Sequence, residues 1–288
     1  MPDSPARRPV IMLTDFGLVD DFPGVCHAVI EQRAPGTPVV HLTHGIDPQN
    51  VAQGALVLRN TLRFTPIGVH LSIVDPGVGT ARRELAVDCA DGRSFVGPDN
   101  GLLEPAIELA GGITRAVSLE SRDFRLEPVS ATFHGRDVFA PAAAHLAAGG
   151  DIGDLGPDVE AHTLATIGLP TSRVERGTLI GQVWHFDRFG NTALAVDEEM
   201  LREFAQGDDQ LEIQVRNDRY YADITSTFGG VREGGLLLYV DAYGSVALGV
   251  NHGDAKAMFR LRVGDSVRIR RIVVDASRSP VASGTTSV

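Results

Sequence analysis

The sequence predicts two parts: an α/β N-terminal domain on a mainly parallel sheet, then a smaller all-β, barrel-like C-terminal domain. Two observations predict this. Over residues 9–168 short apolar runs alternate with helical patterns, as in successive βαβ units. From Thr178 onward the runs shorten, Gly and Asp turns separate them, and only Glu198 to Ala205 reads as helix. The boundaries are therefore 9–168 for the first domain, 169–177 (LPTSRVERG) for a linker, and 178–272 for the second. The polar, small-residue stretch 273–288 is expected to be a disordered tail.

Taken in order, Pro9 to Leu13 (PVIML) reads as a buried strand that delivers Thr14-Asp15-Phe16-Gly17 at its carboxyl end. Asp21 to Gln32 follows as a helix, with Phe22, Val25, Cys26, Val29 and Ile30 on one stripe and Ala34-Pro35-Gly36 closing it. Val39 to Leu42 is a second strand and Asn50 to Arg63 a second helix. Gly68 to Val74, Glu84 to Cys89 and Ser94 to Val96 read as strands, Leu103 to Ala110 and Val138 to Ala148 as helices. In the second domain the strands are Leu179 to Phe186, Thr192 to Val196, Leu211 to Val215, Arg219 to Ile224, Leu236 to Val240, Val246 to Val250 and Ser266 to Ile272.

The chain has 288 residues, 43% hydrophobic and 22% charged, which excludes disorder along most of its length. A net charge of -11 argues against a phosphate-backbone binder, which needs a basic stripe, so no nucleic-acid partner is expected. Cys26 and Cys89 are too few for a disulfide framework and read as small buried residues. The N-terminus lacks a signal-length apolar stretch, and Asp or Arg interrupts every longer apolar run. A cytoplasmic protein without a membrane partner is the expectation.

Four segments can carry chemistry. Asp15, Asp20 and Asp21, at a strand end and helix start, can ligate a divalent metal, accept from ribose hydroxyls and an ammonium, or cap the helix. In Val74 to Arg83 (VDPGVGTARR), Gly77 and Gly79 shape a tight loop, but the lysine of a phosphate cradle is missing. The loop offers Asp75 and, seven positions on, Arg82, either a structural ion pair or a functional one. Thr132-Phe133-His134-Gly135 sets a loop histidine before an Ala-rich helix, a better functional candidate than His145, which reads as packing. His41, His44 and His70 have no metal-ligand spacing, so no metal is expected. In the second domain, Asp187, Phe189 and Asn191, then Phe228, then Asp241 to Ser245 and Asn251, mix aromatics with Asn, Gly and Asp. That composition suits a stacked flat heterocycle, or else ordinary turns.

Together these segments resemble the S-adenosyl-L-methionine hydroxide adenosyltransferase family, relatives of fluorinase and chlorinase. The resemblance rests on TDFGxxDD from Thr14, VDPGVGTxRR from Val74, TFHGRDxFAPxAAHLA from Thr132, FDxFGN from Phe186 and AYGxxxLxxNxG from Ala242. It spans about residues 9 to 272 in order. It implies an α/β domain followed by a β-barrel, and a homotrimer with active sites at subunit interfaces. The implied reaction converts S-adenosyl-L-methionine and water to adenosine and L-methionine, with no metal and no cofactor.

By resemblance, Asp75, Arg82 and His134 form the water-activating triad; Asp15 holds the ribose hydroxyls and Asp20 lies near the methionine ammonium. Thr132 and Phe133 line the substrate site, and Asp187 binds the ammonium. Phe189 and Phe228 sandwich the adenine, whose edge Asn191 and Asn251 read. Fluorinase has tyrosine at the place of Asp75 and tyrosine-serine at that of His134-Gly135; a carboxylate there repels a halide and admits water. Where fluorinase holds the methionine carboxylate with Ser-Arg, this chain has Ala242-Tyr243, so Tyr243 with nearby backbone N–H groups takes that role; Phe22 replaces a fluorinase serine. Two other classes stay open: a non-catalytic S-adenosylmethionine or adenosine binder, and a metal hydrolase built on Asp15, Asp20, Asp21 and Asp75. A halogenase-like adenosyltransferase is a further alternative, against which Asp75 argues.

Overall fold

A computed structural model describes residues 7–272, so the tail at 273–288 lies outside the described residues. The chain divides between Leu169 and Pro170 into two compact units. In the first, strands β1 (Val10–Thr14), β2 (Val39–Thr43), β3 (Val69–Ile73), β4 (Glu84–Cys89), β5 (Ser94–Pro98) and β6 (Ile113–Ser118) form one sheet in the order β2-β1-β3-β5-β4-β6. β1 pairs parallel with β2 and β3, and β3 with β5, whereas β4 runs antiparallel to β5 and β6. The sheet is thus parallel through its β2-to-β5 part and antiparallel at the β4–β6 edge. Strand β6 is absent from the sequence expectation, because Thr114 and Arg115 are exposed and break its apolar run.

Helices α1 (Phe22–Arg33), α2 (Val51–Thr61), α3 (Glu104–Leu109) and α4 (Ala140–Ala147) cover the sheet. Each strand alternates its side chains between two cores. Val10 and Met12 join Val69, Leu71 and α1's Cys26 and Ile30, while Leu13 joins Val87, Phe95 and α2's Ala55 and Leu58. Both faces are therefore covered over the central strands, while the edge strand β2 stays partly exposed. Phe22 departs from the expected stripe: it is 41% exposed, while Pro23 packs inward. Burial pushes the thiols of Cys26 and Cys89 up to about 12, and both cysteines are free.

The second unit holds β7 (Ser172–Glu175), β8 (Thr178–Phe186), β9 (Thr192–Asp197), β10 (Gln210–Val215), β11 (Asp218–Ile224), β12 (Leu236–Val240), β13 (Ser245–Val250) and β14 (Ser266–Arg271). The order β14-β10-β11-β12-β13-β9-β8 closes on itself because β14 also pairs antiparallel with β8, giving a seven-stranded barrel with β7 alongside β8. Its interior is filled by residues such as Leu179, Leu194, Ile213, Leu238, Leu248 and Ile269.

Two expectations need correction. Residues 169–177 are not plain linker: β7 forms there through its backbone pairing with β8. Besides α5 (Glu198–Ala205) there is a second short helix, α6 (Ala255–Phe259), capped by Asp254 Oδ1 accepting from Ala257 N at 2.7 Å. Among the described residues no helix is long and apolar enough to cross a membrane.

Candidate active site

In the first unit the chain passes from β1 to β2 on one side and returns to β3 on the other, so the strand order reverses between β1 and β3. Such a switch point opens a crevice at the strands' carboxyl ends. There Asp15 follows β1 and Asp75 follows β3, and the Asp15 backbone N–H reaches the Ile73 carbonyl at 3.4 Å. The Thr14–Gly17 turn is held from below by His44. Thr14 Oγ1 lies 2.8 Å from His44 Nδ1, and Gly17 donates its N–H to the His44 carbonyl at 2.8 Å. Gly17 sits at φ +72, where a side chain would strain the turn. Asp15 is half-buried, with Oδ2 accepting from Gln49 N at 2.8 Å; Asp20 is exposed. Asp21 stands at the N-cap of α1 without a side-chain cap bond, so it is not a helix cap here.

The loop after β3 folds Arg82 back onto Asp75. Arg82 Nε donates to Asp75 Oδ1 at 3.0 Å, and its NH2 group donates to Oδ2. Burial pushes the Asp75 carboxyl above the usual carboxylate range, and the Arg82 charge works against that rise. His134, 8% exposed, places Nδ1 3.4 Å from the Arg82 NH2 group, so the three expected triad residues meet in one place. Glycines bring this about. Gly79 (φ +76) has no room for a Cβ, which would sit 2.3 Å from the Ala131 carbonyl, so the 75–83 loop lies tight against the segment leading to His134. A Cβ on Gly135 would lie 3.1 Å from Phe16 Cζ.

Around the triad, Phe16, Phe22 and Phe133 form an aromatic cluster with centroids 4.9 to 5.9 Å apart. Phe133 is thereby committed to packing, with the Arg136 guanidinium 5.1 Å from its ring centre, while Thr132 remains exposed. Glu84, the first residue of β4, was not singled out in the sequence, yet its carboxylate lies 3.0 Å from His134 Nδ1.

In the second unit four expected residues, Phe189, Asn191, Phe228 and Asn251, line one cleft of about 590 Å³ with Val250, His252, Gly253 and Asp254. Asp187 builds its wall: Oδ1 accepts from Phe189 N at 2.8 Å and Asn191 N at 2.9 Å, and Oδ2 from Asn191 Nδ2 at 2.7 Å. Three carboxylate lone pairs are thus spent on the turn. Phe189 is 78% exposed and Phe228 half-buried against Tyr239, 5.1 Å between centroids. Asn251 Nδ2 donates to the Val231 carbonyl at 2.8 Å. Tyr243 does not line the cleft; it stands on the neighbouring turn, where its N–H donates to Asp241 Oδ1 at 2.8 Å. Sequence reasoning missed Gly249, whose missing side chain leaves space for Phe228 and Asn191: a Cβ there would lie 3.0 Å from Phe228 Cε1 and 3.2 Å from Asn191 Oδ1.

His27, His41 and His44 form a chain, His27 Nδ1 to His41 Nε2 at 3.0 Å and His41 Nδ1 to His44 Nε2 at 2.7 Å. His41 and His44 spend both ring nitrogens on neighbours, and among the described residues no three His, Cys, Asp or Glu side chains are grouped to hold a metal ion.

Comparison with known proteins gives a consistent result. A model described as the SAM hydroxide adenosyltransferase N-terminal domain matches residues 10–156, and that of the C-terminal domain matches 181–268. The chain is 43% identical over 256 residues to an (R)-S-adenosyl-L-methionine hydrolase of Salinispora tropica, covering 89% of this chain and 95% of that one. It is 41% identical over 271 residues to the protein of that name from Thermus thermophilus, covering 91% and 99%. The crystal structure of an uncharacterized conserved protein from Thermotoga maritima matches with TM-score 0.84 at 33% identity, covering 91% of this chain and all of that one.

Proposed function

The chain belongs to the SAM hydroxide adenosyltransferase family, and on that premise we propose that it hydrolyses S-adenosyl-L-methionine to adenosine and L-methionine. The observation that carries the reading is the buried meeting of Asp75, Arg82 and His134 at the strand-order switch. Water attacks the ribose C5′ in line with the C5′–S bond. The new C5′–O bond forms as C5′–S breaks, the electron pair stays on sulfur, and the sulfonium leaves as neutral methionine thioether. No acid is needed at sulfur, so the reaction asks only for an aligned water and a base, which supports a metal-free and cofactor-free site.

Asp75 is that base. Two of its lone pairs face Arg82 and the Gly77 backbone bonds the carboxylate as well, so what remains accepts the water proton, which later passes to solvent. A carboxyl raised by burial is a stronger base than an ordinary one. Arg82 pins it and presents positive charge to the developing hydroxide, and His134 orients the water. Proton transfer of this kind contributes about 10²- to 10⁴-fold, with alignment and exclusion of bulk water supplying the rest. Asp15 holds the ribose hydroxyls, Asp20 attracts the substrate's positive end, and Phe189 and Phe228 stack on adenine while Asn191 and Asn251 read its edge. Thr132 and Phe133 border the site. Asp187, with one lone pair left, meets the ammonium, and the Tyr243 turn meets the methionine carboxylate.

For the assembly we propose a homotrimer with active sites at subunit interfaces, on the strength of the family resemblance, acting in the cytoplasm without a nucleic-acid or membrane partner. Reaction in ¹⁸O-water tests the chemistry: adenosine carrying the label at O5′ is expected. Unlabelled adenosine, or no adenosine, overturns direct attack by water.

A further inference from the structure

The two contacts at His134 Nδ1 are incompatible as hydrogen bonds. Arg82 NH2, at 3.4 Å, can only donate, so a bond to it would need a bare Nδ1. The Glu84 carboxylate oxygen Oε1, at 3.0 Å, can only accept, so a bond to it needs a proton on Nδ1. Distance decides for Glu84. A charged acceptor also makes the stronger bond.

We propose that Glu84 is a positioning residue that fixes His134 as the Nδ1–H tautomer, leaving the Nε2 lone pair as the side of the ring that faces chemistry. This deepens the reading of the triad and rests on it. The arrangement repeats a general device, in which a carboxylate behind an imidazole sets which nitrogen holds the proton and how the ring is turned.

Glu84 is itself held. Its side chain is 16% exposed, against 10% for His134 and 8% for Arg82, so water competes weakly for these bonds. Oε1 also lies 3.6 Å from Arg82 NH1, and Oε2 lies 3.4 Å from Arg125 NH2. Arg125 is anchored in turn by donating to the Leu119 carbonyl, and Leu119 N–H donates to the Glu84 carbonyl at 2.9 Å. Glu84 thus stands between two guanidinium groups and one imidazole, and its pull on Arg82 NH1 leaves Nε and NH2 directed at Asp75. One carboxylate that touches no substrate therefore orients two members of the triad.

The test is Glu84→Gln, which keeps the shape and removes the charge, with Glu84→Leu, which removes the acceptor. Loss of a partner behind a functional histidine costs about 10- to 100-fold. We expect kcat to fall by that factor in Glu84→Gln and further in Glu84→Leu, with KM within about twofold because neither change meets substrate. Nitrogen-15 NMR of the ligand-free protein supplies a readout independent of activity: His134 carries its proton on Nδ1 in the parent and loses that preference in Glu84→Leu. A cycle with His134→Ala separates the layers. If His134→Ala is slowed and Glu84→Gln costs less in that background than in the parent, the coupling stands. If His134→Ala is inactive while Glu84→Gln and Glu84→Leu keep the parental kcat and tautomer, this inference is overturned and the triad survives. If His134→Ala keeps the parental rate, the triad reading itself fails.

Discussion

Arg82 grips Asp75 through two nitrogens, Nε to Oδ1 at 3.0 Å and NH2 to Oδ2, with both side chains less than a tenth exposed. The pair is too well matched to be a passing surface contact and too buried to be cheap. Removing one partner of such a pair leaves an uncompensated charge, at a cost of about 3–5 kcal/mol. Arg82→Ala should therefore unfold at markedly lower urea concentration and lose turnover together. Asp75→Asn keeps the volume and an oxygen acceptor for Arg82, whose charge Glu84 still faces at 3.6 Å, so it should lose less stability than Arg82→Ala, bind substrate and drop kcat by about 10²- to 10⁴-fold. Parental kcat in Asp75→Asn would show that the base lies elsewhere.

The raised Asp75 carboxyl sets the expected pH dependence of turnover. A base must be ionised, and burial moves that ionisation to higher pH than an ordinary aspartate. kcat should rise with pH along an acid limb lying above the usual aspartate range. In Asp75→Asn that limb should vanish from whatever rate remains; persistence of the same limb would assign it to another group.

Stability should respond to acid through two other residues. His44 and His70 are both held down to about 4, chiefly by burial, with His41 adding repulsion to the first and Arg93 to the second. The unfolded chain takes up a proton at each near pH 6.5 and the folded chain only near 4, so between these limits the unfolded state binds more protons. Stability is then full above about pH 6.5 and falls as pH drops toward 4, by up to ~1.4 kcal/mol per histidine for each tenfold rise in proton activity. Urea midpoints at pH 7 and 4.5 measure it. His70 is fully buried and stacks on Phe95 at 5.0 Å, so His70→Leu should flatten the slope; an unchanged slope removes His70 from the account.

The fold and the placing of the candidate residues were legible in the sequence because those residues sit where apolar runs stop. PVIML ends at Thr14-Asp15 and GVHLSIV at Asp75, and a buried parallel strand can only expose polar groups at its end. What escaped notice lacks an apolar signal. Strand β7, SRVE, is held by backbone bonds to β8 and has exposed side chains at Arg173, Val174 and Glu175. Helix α6 is short and defined mainly by its Asp254 cap. Glu84 escaped for another reason: it opens a strand like many glutamates, and its partner His134 is distant in the chain, so only the fold brings them together. Gly249 is invisible by nature, since its role is the space it leaves.

The assembly has its own measurement. Light scattering on the purified protein should return three times the 30.7 kDa chain mass. Mixed renaturation of Asp75→Asn with Phe228→Ala subunits should create sites that combine the parental kcat with the parental KM, a combination neither variant has alone, if the triad of one subunit serves the candidate adenine cleft of another. A monomeric mass with full activity overturns the proposed homotrimer.

The cleft proposed for adenine offers the narrowest test, because its shape depends on an atom that Gly249 lacks. In Gly249→Ala the new methyl would stand 3.0 Å from Phe228 Cε1 and 3.2 Å from both Asn191 Oδ1 and Leu237 Cδ2, all closer than such contacts normally run, so a neighbour must move, and Leu237 is fully buried in the barrel. Asn191 is tied to Asp187 at 2.7 Å and yields poorly, which leaves the Phe228 ring to tilt out of its place against Tyr239. A displaced ring forfeits stacking worth about 0.5–1.5 kcal/mol, so KM should rise about 2- to 12-fold. The triad is untouched, and kcat should hold within about twofold. Phe228→Ala should raise KM at least as far, and Gly249→Ala should add little on top of it, since both act through the same ring. Independent, additive effects on KM would mean that Phe228 does not mediate the effect of Gly249. An unchanged KM in both variants would mean that adenine binds somewhere else.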